Sequence, residues 1–573
     1  MSKTDTKIAK KSKVTKVAST KVGIVYRVGD DGDTYADFGK IQGDNLAGLV
    51  KRTLANAMGA QQVSRMQQVY SLRIISTYLD QIKSQFDDYC VEYNDSSSDG
   101  AMLVEKATEY HKAAKEQITA KIASGLVEFE DIPFLFEEGH EVATNHGGEF
   151  VSGIVETVEL KSSFFSTYYQ IGLKVISNVS GEVQDLTYKT AIMAFRGQKS
   201  LSRLPVHHIN EAEKALLSER GETFRKYATG IHYVHYKGQL TQSSYWSERN
   251  FRADGRVVID IGSFQQIEND QLEQEKSQSG IETADRYDRA NSVPTSIELH
   301  DEDLWRTYPY LYGFSFKAKQ WGRMAVKGLS EIAWREDAWD KLVLPAEEKE
   351  LIKAIVEFQG DTFSDIVDEK GGGSIFLLHG PPGQGKTLSA ETIAEILKRP
   401  LYAVSVGELG VSPEDLEERL RTILDLATVW NAVLLLDEAD IFLEARTDQD
   451  VVRNALVGVF LRLTEYFQGV LFLTTNRVKN IDAAFYSRIS IALSYPSADI
   501  EKRRQIWVNL LGSAGLDDKW SDRLAHFEIN GRQVKNVIRA GQSLALAKGE
   551  EITIDHLIKV IDLTTHFEKQ MVS

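Results

Sequence analysis

Ser374-Ile-Phe-Leu-Leu-His-Gly-Pro-Pro-Gly-Gln-Gly-Lys-Thr387 is the stretch on which the fold turns. Ile375 to Leu378 is an apolar run and reads as a buried strand. Gly380-Pro-Pro-Gly-Gln-Gly-Lys-Thr387 satisfies the phosphate-loop pattern G-x-x-x-x-G-K-[ST]. Leu388 to Leu397 follows, helical in composition and free of Gly and Pro. Strand, glycine loop and helix in that order make a cradle for phosphate. The glycines let backbone N–H groups turn inward, and the helix adds the positive end of its dipole. Lys386 is placed to reach β- and γ-phosphates, and Thr387 to ligate Mg²⁺ through its hydroxyl.

Downstream, Ala432-Val-Leu-Leu-Leu-Asp-Glu-Ala-Asp440 is an apolar strand ending in acids, a Walker-B pattern. Asp437 is placed to hold the Mg²⁺ that Thr387 ligates, and Glu438 to polarise the attacking water. A further strand, Val470-Leu-Phe-Leu-Thr-Thr-Asn476, ends in a polar side chain suited to orienting that water. Ile481-Asp-Ala-Ala-Phe-Tyr-Ser-Arg-Ile489 then places Arg488 a short helix later. A phosphoryl-transfer site needs positive charge on its transition state, and an arginine here suits delivery from a neighbouring subunit. Arg532, in the first turn of a later helix, is placed to reach back to the phosphates.

Bulk properties bound the rest. With 573 residues the chain is expected to hold three or four domains. It is 42% hydrophobic and 26% charged, with a net charge of -16, which argues against broad nucleic-acid or anionic-membrane binding by the body. The single cysteine, Cys90, excludes an intrachain disulfide and a cysteine zinc cluster. No apolar run is long enough to span a membrane, and the amino terminus lacks the apolar core of a secretory signal. A cytoplasmic or nuclear protein is expected.

Residues 1–22 carry seven lysines and one acid and read as a basic disordered tail, the one segment suited to nucleic acid. Residues 23–128 are expected to be a helical module: apolar residues recur at helical spacing from Asn45 to Tyr93, a polar linker spans 94–100, and a second helix runs from Met102 to Ile122. Residues 129–332 change period towards two and are expected to form a β-rich middle domain, with a mobile loop at 267–295. Strands are expected at 150–160, 169–176, 190–195, 231–236 and 255–261, with a helix from Asn210 to Gly221. His232 and His235 form H-x-x-H, but on a strand they face opposite ways, so no metal is assigned to them. Residues 333–498 are expected to be an α/β domain with a parallel sheet, and residues 499–573 a helical lid.

The whole resembles the AAA ATPase family. The resemblance runs through the phosphate loop, Leu434-Leu-Leu-Asp-Glu-Ala-Asp440, Thr474-Thr-Asn-Arg477 and Ile481 to Arg488. More narrowly the chain looks like a fungal, bacterial and viral subgroup with a β-rich domain of unassigned function before the ATPase. Trp430-Asn-Ala-Val433, Arg453-Asn-Ala-Leu-Val-Gly-Val-Phe-Leu-Arg-Leu463, Gly255-Arg-Val-Val-Ile-Asp260 and Gly313-Phe-Ser-Phe-Lys-Ala-Lys-Gln-Trp321 carry that likeness, which covers residues 130 to 515. It implies ring assembly, usually hexameric, with ATP and Mg²⁺ bound between subunits. It implies that Gly380, Pro381, Pro382, Gly383, Gln384, Gly385, Lys386, Thr387 and Leu388 bind nucleotide, with Thr387 and Asp437 on the metal. It makes Asn476 sensor 1, Arg488 the trans arginine finger and Arg532 a sensor-2 candidate.

One departure matters. Many family members thread polypeptide with an aromatic-apolar-Gly loop after the second strand. Here that place holds Gly407-Glu-Leu-Gly-Val-Ser-Pro413, where only Leu409 and Val411 offer a weak grip. Remodelling of a protein partner is the expected function. A nucleic-acid motor or loader using the tail, and a scaffold stabilised by ATP, are the alternatives. An ATPase piece beginning near Ala333 is expected to hydrolyse ATP by itself.

Overall fold

The structure, a computed structural model, describes residues 24–28, 34–37, 49–54, 69–77, 82–86, 98–162, 166–244, 247–282, 296–357, 373–410, 412–446, 450–477 and 481–572. The basic tail lies outside these. Among the described residues no helix is long and apolar enough to cross a membrane.

The described residues of the amino-terminal segment are mixed rather than all helical. Val25–Val28, Thr34–Asp37 and Val69–Ser71 form a three-stranded antiparallel sheet. Val69 and Tyr70 belonged to the expected helix, but Tyr70 pairs with Ala36 and is 1% exposed. The helical spacing is a local signal, and the pairing with residues 35–37 that overrides it is not. The second helix does form, over Ser98–Ala123, and takes in the end of the expected linker.

Alternating apolar residues build the middle domain as two antiparallel sheets. In spatial order the first runs Val206–His208, Glu141–His146, Glu149–Ser162, Thr167–Ser177, Gln184–Met193, Ile281–Glu282. The second runs Ser247–Arg252, Gln239–Ser244, Gln320–Ala325, Tyr310–Ser315, Gly255–Ile259, His232–Tyr236, Leu329–Ser330. The expected helix after Asn210 continues to Tyr227, its start closed by reciprocal Asn210 and Glu213 hydrogen bonds. Gly221 lies inside it because the backbone of Leu304 crosses there; a Cβ would stand 2.2 Å from the Leu304 carbonyl oxygen.

The expected loop at 267–295 is in part a helix, Asn269–Gln278, with Leu272, Glu275 and Lys276 buried; residues 283–295 lie outside the described set. Its polar composition misled because one acid faces inward. The Glu275 carboxylate accepts from the Ser243 hydroxyl and backbone N–H and faces Arg323, itself 1% exposed.

The carboxyl-terminal half holds a five-stranded, all-parallel sheet. Its order is Leu401–Ser405, Val433–Asp437, Val470–Thr475, Ser374–His379, Ile491–Ser494. Leu434, Leu435, Phe376, Leu378, Leu471 and Phe472 are fully buried, as strands covered on both faces require. All carboxyl ends lie on one edge, where open α/β sheets bind ligands. The helices Ile500–Ser513, Ser521–Leu524, Gly531–Lys548 and Ile554–Val572 pack as a separate apolar cluster around Trp507 and Leu511.

The middle domain and the parallel sheet share one core. Phe314, Phe316 and Trp321 stack against Tyr402 and Trp430 with ring centroids 5.5–5.8 Å apart. The buried Trp430 indole N–H donates to Asp260 Oδ2 at 2.8 Å. Asp260 Oδ1 caps the helix Ile261–Ile267 by accepting from the Ser263 N–H at 2.9 Å. Three of the four stretches quoted for the narrower resemblance, those holding Asp260, Phe314 to Trp321 and Trp430, thus meet across one interface.

Candidate functional site

The phosphate loop joins the strand Ser374–His379 to the helix Lys386–Ile396. Gly380, Gly383 and Gly385 have φ of 148°, 78° and 98°, a region that only glycine enters at no cost. Space constrains two of them as well. A Cβ on Gly380 would stand 2.1 Å from the Tyr495 carbonyl oxygen, and one on Gly383 2.6 Å from the Asn530 side chain.

Lys386 opens the helix and is buried. Its Nζ donates to the carbonyls of Gly380 at 2.6 Å and Pro381 at 2.9 Å, and to Asn476 Oδ1 at 2.8 Å. Burial pushes its pKa below the usual lysine value, and the nearby Arg532 charge adds to that. Arg532, exposed in the first turn of Gly531–Lys548, follows Gly531, where a Cβ would stand 3.5 Å from the Gly383 carbonyl oxygen of the loop. Asn530 caps that same helix. Pro381, Pro382 and Leu388 are exposed, while Gln384 is half-buried.

Asp437 ends the strand Val433–Asp437, one strand removed from Ser374–His379, its Oδ1 3.4 Å from the Thr387 hydroxyl. A hydroxyl and a carboxylate side by side are the hard oxygen donors that Mg²⁺ prefers, so the pair fits that ion. Glu438 follows, exposed, at φ 58°. Its N–H donates to the Thr474 hydroxyl at 2.9 Å, and that hydroxyl donates to Asp437. Asp440 accepts from the Thr475 hydroxyl and from the Asn476 N–H. Lys386, Thr387, Asp437 and Asn476 are thus brought together at the carboxyl edge of the sheet.

Arg488 is half-buried and engaged within its own chain, with Glu465 and the Ala484 carbonyl. Thr474, Asp440 and Asn530 had no assigned role in the sequence reading. Thr474 and Asp440 stood inside the quoted motifs, but their side-chain partners come from the adjacent strand.

The segment at the threading position corrects an expectation. Leu409 is 0% exposed, so it offers no grip; Val411 lies outside the described residues. Glu408 beside it accepts two hydrogen bonds from Lys319 Nζ of the middle domain, at 2.5 and 2.7 Å. At the far end of the phosphate-loop helix, Arg256 of the middle domain pairs with Glu395. The Arg256 guanidinium lies 4.8 Å over the Trp334 ring.

Residues 376–497 match the family described as ATPase family associated with various cellular activities (AAA). The chain is 27% identical over 194 residues to a 26S proteasome regulatory subunit homolog of Methanothermobacter thermautotrophicus, covering 32% of this chain and 52% of that protein. It is 32% identical over 143 residues to the cell division control protein 48 homolog B of Arabidopsis thaliana, covering 23% and 24%. It is 27% identical over 190 residues to the ATPase family AAA domain-containing protein 3B of Homo sapiens, covering 31% and 28%. The chain spans at most about half the length of these relatives. A chain from the solved E. coli MS115-1 HORMA:CdnC:Trip13 complex aligns with a TM-score of 0.33 at 17% identity, covering 40% of this chain and 90% of that one.

Proposed function

We propose, from the premise that residues 376–497 form a domain of the AAA ATPase family, that this chain hydrolyses ATP with Mg²⁺ as part of a ring and uses the turnover to remodel a protein partner. The observation that carries the hydrolytic reading is the convergence of Lys386, Thr387, Asp437 and Asn476 on one edge of the sheet. Thr387 and Asp437 hold the Mg²⁺, which neutralises phosphate charge. The loop N–H groups and Lys386 bind the β- and γ-phosphates; the bonds that Lys386 now makes to loop carbonyls are exchanged for phosphate oxygens. Glu438 takes the proton of the attacking water and Asn476 orients it. Arg488 of one subunit meets the γ-phosphate held by the next, and Arg532 closes over the same nucleotide from the lid.

The partner is engaged through the middle domain rather than drawn through the pore. Leu409 is buried and Glu408 is held by Lys319, so the segment that would grip a threaded chain is committed to an intramolecular contact. The Glu395–Arg256 pair ties the phosphate-loop helix to the same domain. Movement of that helix on turnover reaches the middle domain directly.

The test is a Glu438→Gln chain, which keeps nucleotide binding and loses turnover, used as an ATP-locked trap for the partner. Lys386→Ala loses nucleotide binding and serves as the control. Near-normal hydrolysis by Glu438→Gln overturns the site assignment. Capture of nucleic acid instead of protein overturns the remodelling reading.

A further inference from the structure

Arg488 follows the short helix Ala483–Tyr486 and is held at two points. Nη1 donates to the Ala484 carbonyl at 3.0 Å, and Nη2 donates to Glu465 Oε2 at 2.9 Å. Nε is buried with no hydrogen-bond partner. A guanidinium has five N–H donors in a planar fork. With one hydrogen of each Nη used internally, each Nη keeps a second, and 27% of the side chain is exposed. The fork is held through one hydrogen on each Nη and is still able to donate twice.

Glu465 is an odd residue for its place. It is the C-cap of the helix Val451–Thr464, where the dipole presents negative charge and an acid is disfavoured. A half-exposed ion pair contributes little stability either, about 0–1 kcal/mol. Neither local preference nor stability accounts for a glutamate here, whereas its contact with Arg488 does. We propose that Glu465 is a positioning residue: it holds the Arg488 guanidinium in the orientation in which it enters the nucleotide site of a neighbouring subunit. This rests on the reading of Arg488 as a trans arginine finger. An arginine already held loses less rotamer freedom on meeting phosphate than a free one.

The experiment is steady-state ATPase of the full chain across ATP concentrations. Glu465→Ala lowers kcat by up to about a hundredfold, the scale of a misplaced catalytic group, with KM and nucleotide binding retained. Glu465→Gln keeps the acceptor and recovers most of that loss. On the residual rate of Arg488→Ala, Glu465→Ala has no further effect. Glu465→Ala subunits mixed with Glu438→Gln subunits regain turnover, because an intact Glu465 then faces an intact Glu438 across some junctions. A defect confined to a subunit's own fold is not rescued in this way. Loss below twofold in Glu465→Ala, an equal loss on top of Arg488→Ala, or no rescue by mixing overturns the positioning role. If Arg488→Ala itself keeps full turnover, the finger reading fails and the role of Glu465 falls with it.

Discussion

Glu438 sits in a left-handed backbone conformation, at φ 58°, which costs a non-glycine residue about 1–2 kcal/mol. The Thr474 hydroxyl holds it there by accepting its N–H while donating to Asp437. Thr474→Val keeps the shape and removes both bonds. Hydrolysis is expected to fall by about a hundredfold, the lower end of what general-base catalysis contributes, with ADP affinity little changed and Thr474→Ser restoring the rate. Equal losses in kcat and nucleotide affinity would place Thr474 in loop support instead. Gly383→Ala is expected to fail differently, losing nucleotide binding outright, because its φ is 78° and the added Cβ meets Asn530. His146 gives a stability prediction. Burial, with the Arg323 charge, lowers its pKa to about 4. The unfolded chain therefore binds this proton first as pH falls. The contribution of neutral His146 is full above pH 6.5 and is lost between there and pH 4, amounting to up to about 3 kcal/mol. His146→Gln should flatten the fall in melting temperature over that window relative to the parent; an unchanged slope refutes the assignment.

Among the described elements, the segment Val406–Glu408 and the helix Lys386–Ile396 each carry an ion pair to the middle domain. The helix begins at the glycine loop and has Arg256 on Glu395 near its end. Eleven residues make a rigid rod about 16 Å long. The segment Val406–Glu408 is held by Lys319. Both partners of that pair are part-exposed, at 36% and 38%, so its static contribution is small, about 1 kcal/mol or less. Its effect should show in coupling. Lys319→Glu is expected to speed hydrogen exchange in residues 405–410 and to weaken the ATPase response to the partner. The swap Lys319→Glu with Glu408→Lys should restore both. Fast exchange persisting in the swap would mean that Lys319 acts through something other than this pair.

At the scale of the whole molecule, the sequence reading expects an ATPase piece beginning near Ala333 to work alone, but the shared core argues otherwise. Tyr402 and Trp430 are 8% and 5% exposed in the intact chain and lie against Phe314, Phe316 and Trp321. Cutting there opens an aromatic face of the kind that drives association. Such a piece is expected to aggregate or to melt well below the full chain. In the full chain, Asp260→Ala leaves the buried Trp430 N–H unpaired and uncaps a helix. The expected cost is about 2–4 kcal/mol, read from urea unfolding. A cost under about 0.5 kcal/mol, the level of a neutral surface change, would show that the interface bears little load.

The candidate site could be proposed from the sequence because its pattern is written in contiguous residues. Gly380 to Thr387 and Leu434 to Asp440 each carry strand, turn and polar groups within one short run, so local pattern reading picks out Lys386, Thr387 and Asp437, which the fold places close together, with Glu438 beside them. The alternation along 149–176 likewise announced a β-rich domain before any contact was known. What depended on distant partners stayed hidden. Tyr70 is a strand residue because Ala36 pairs with it, Glu275 faces inward because Ser243 and Arg323 donate to its carboxylate, and Leu409 is buried in the shared core. Asp260 and Trp430, or Glu465 and Arg488, stand apart in the chain, and their pairing appears only when folding brings them within 2.9 Å. Backbone propensity and loop chemistry act over a few residues and can be read along the chain. Burial and ion pairing act through space, and only the tertiary structure decides which side chains they join.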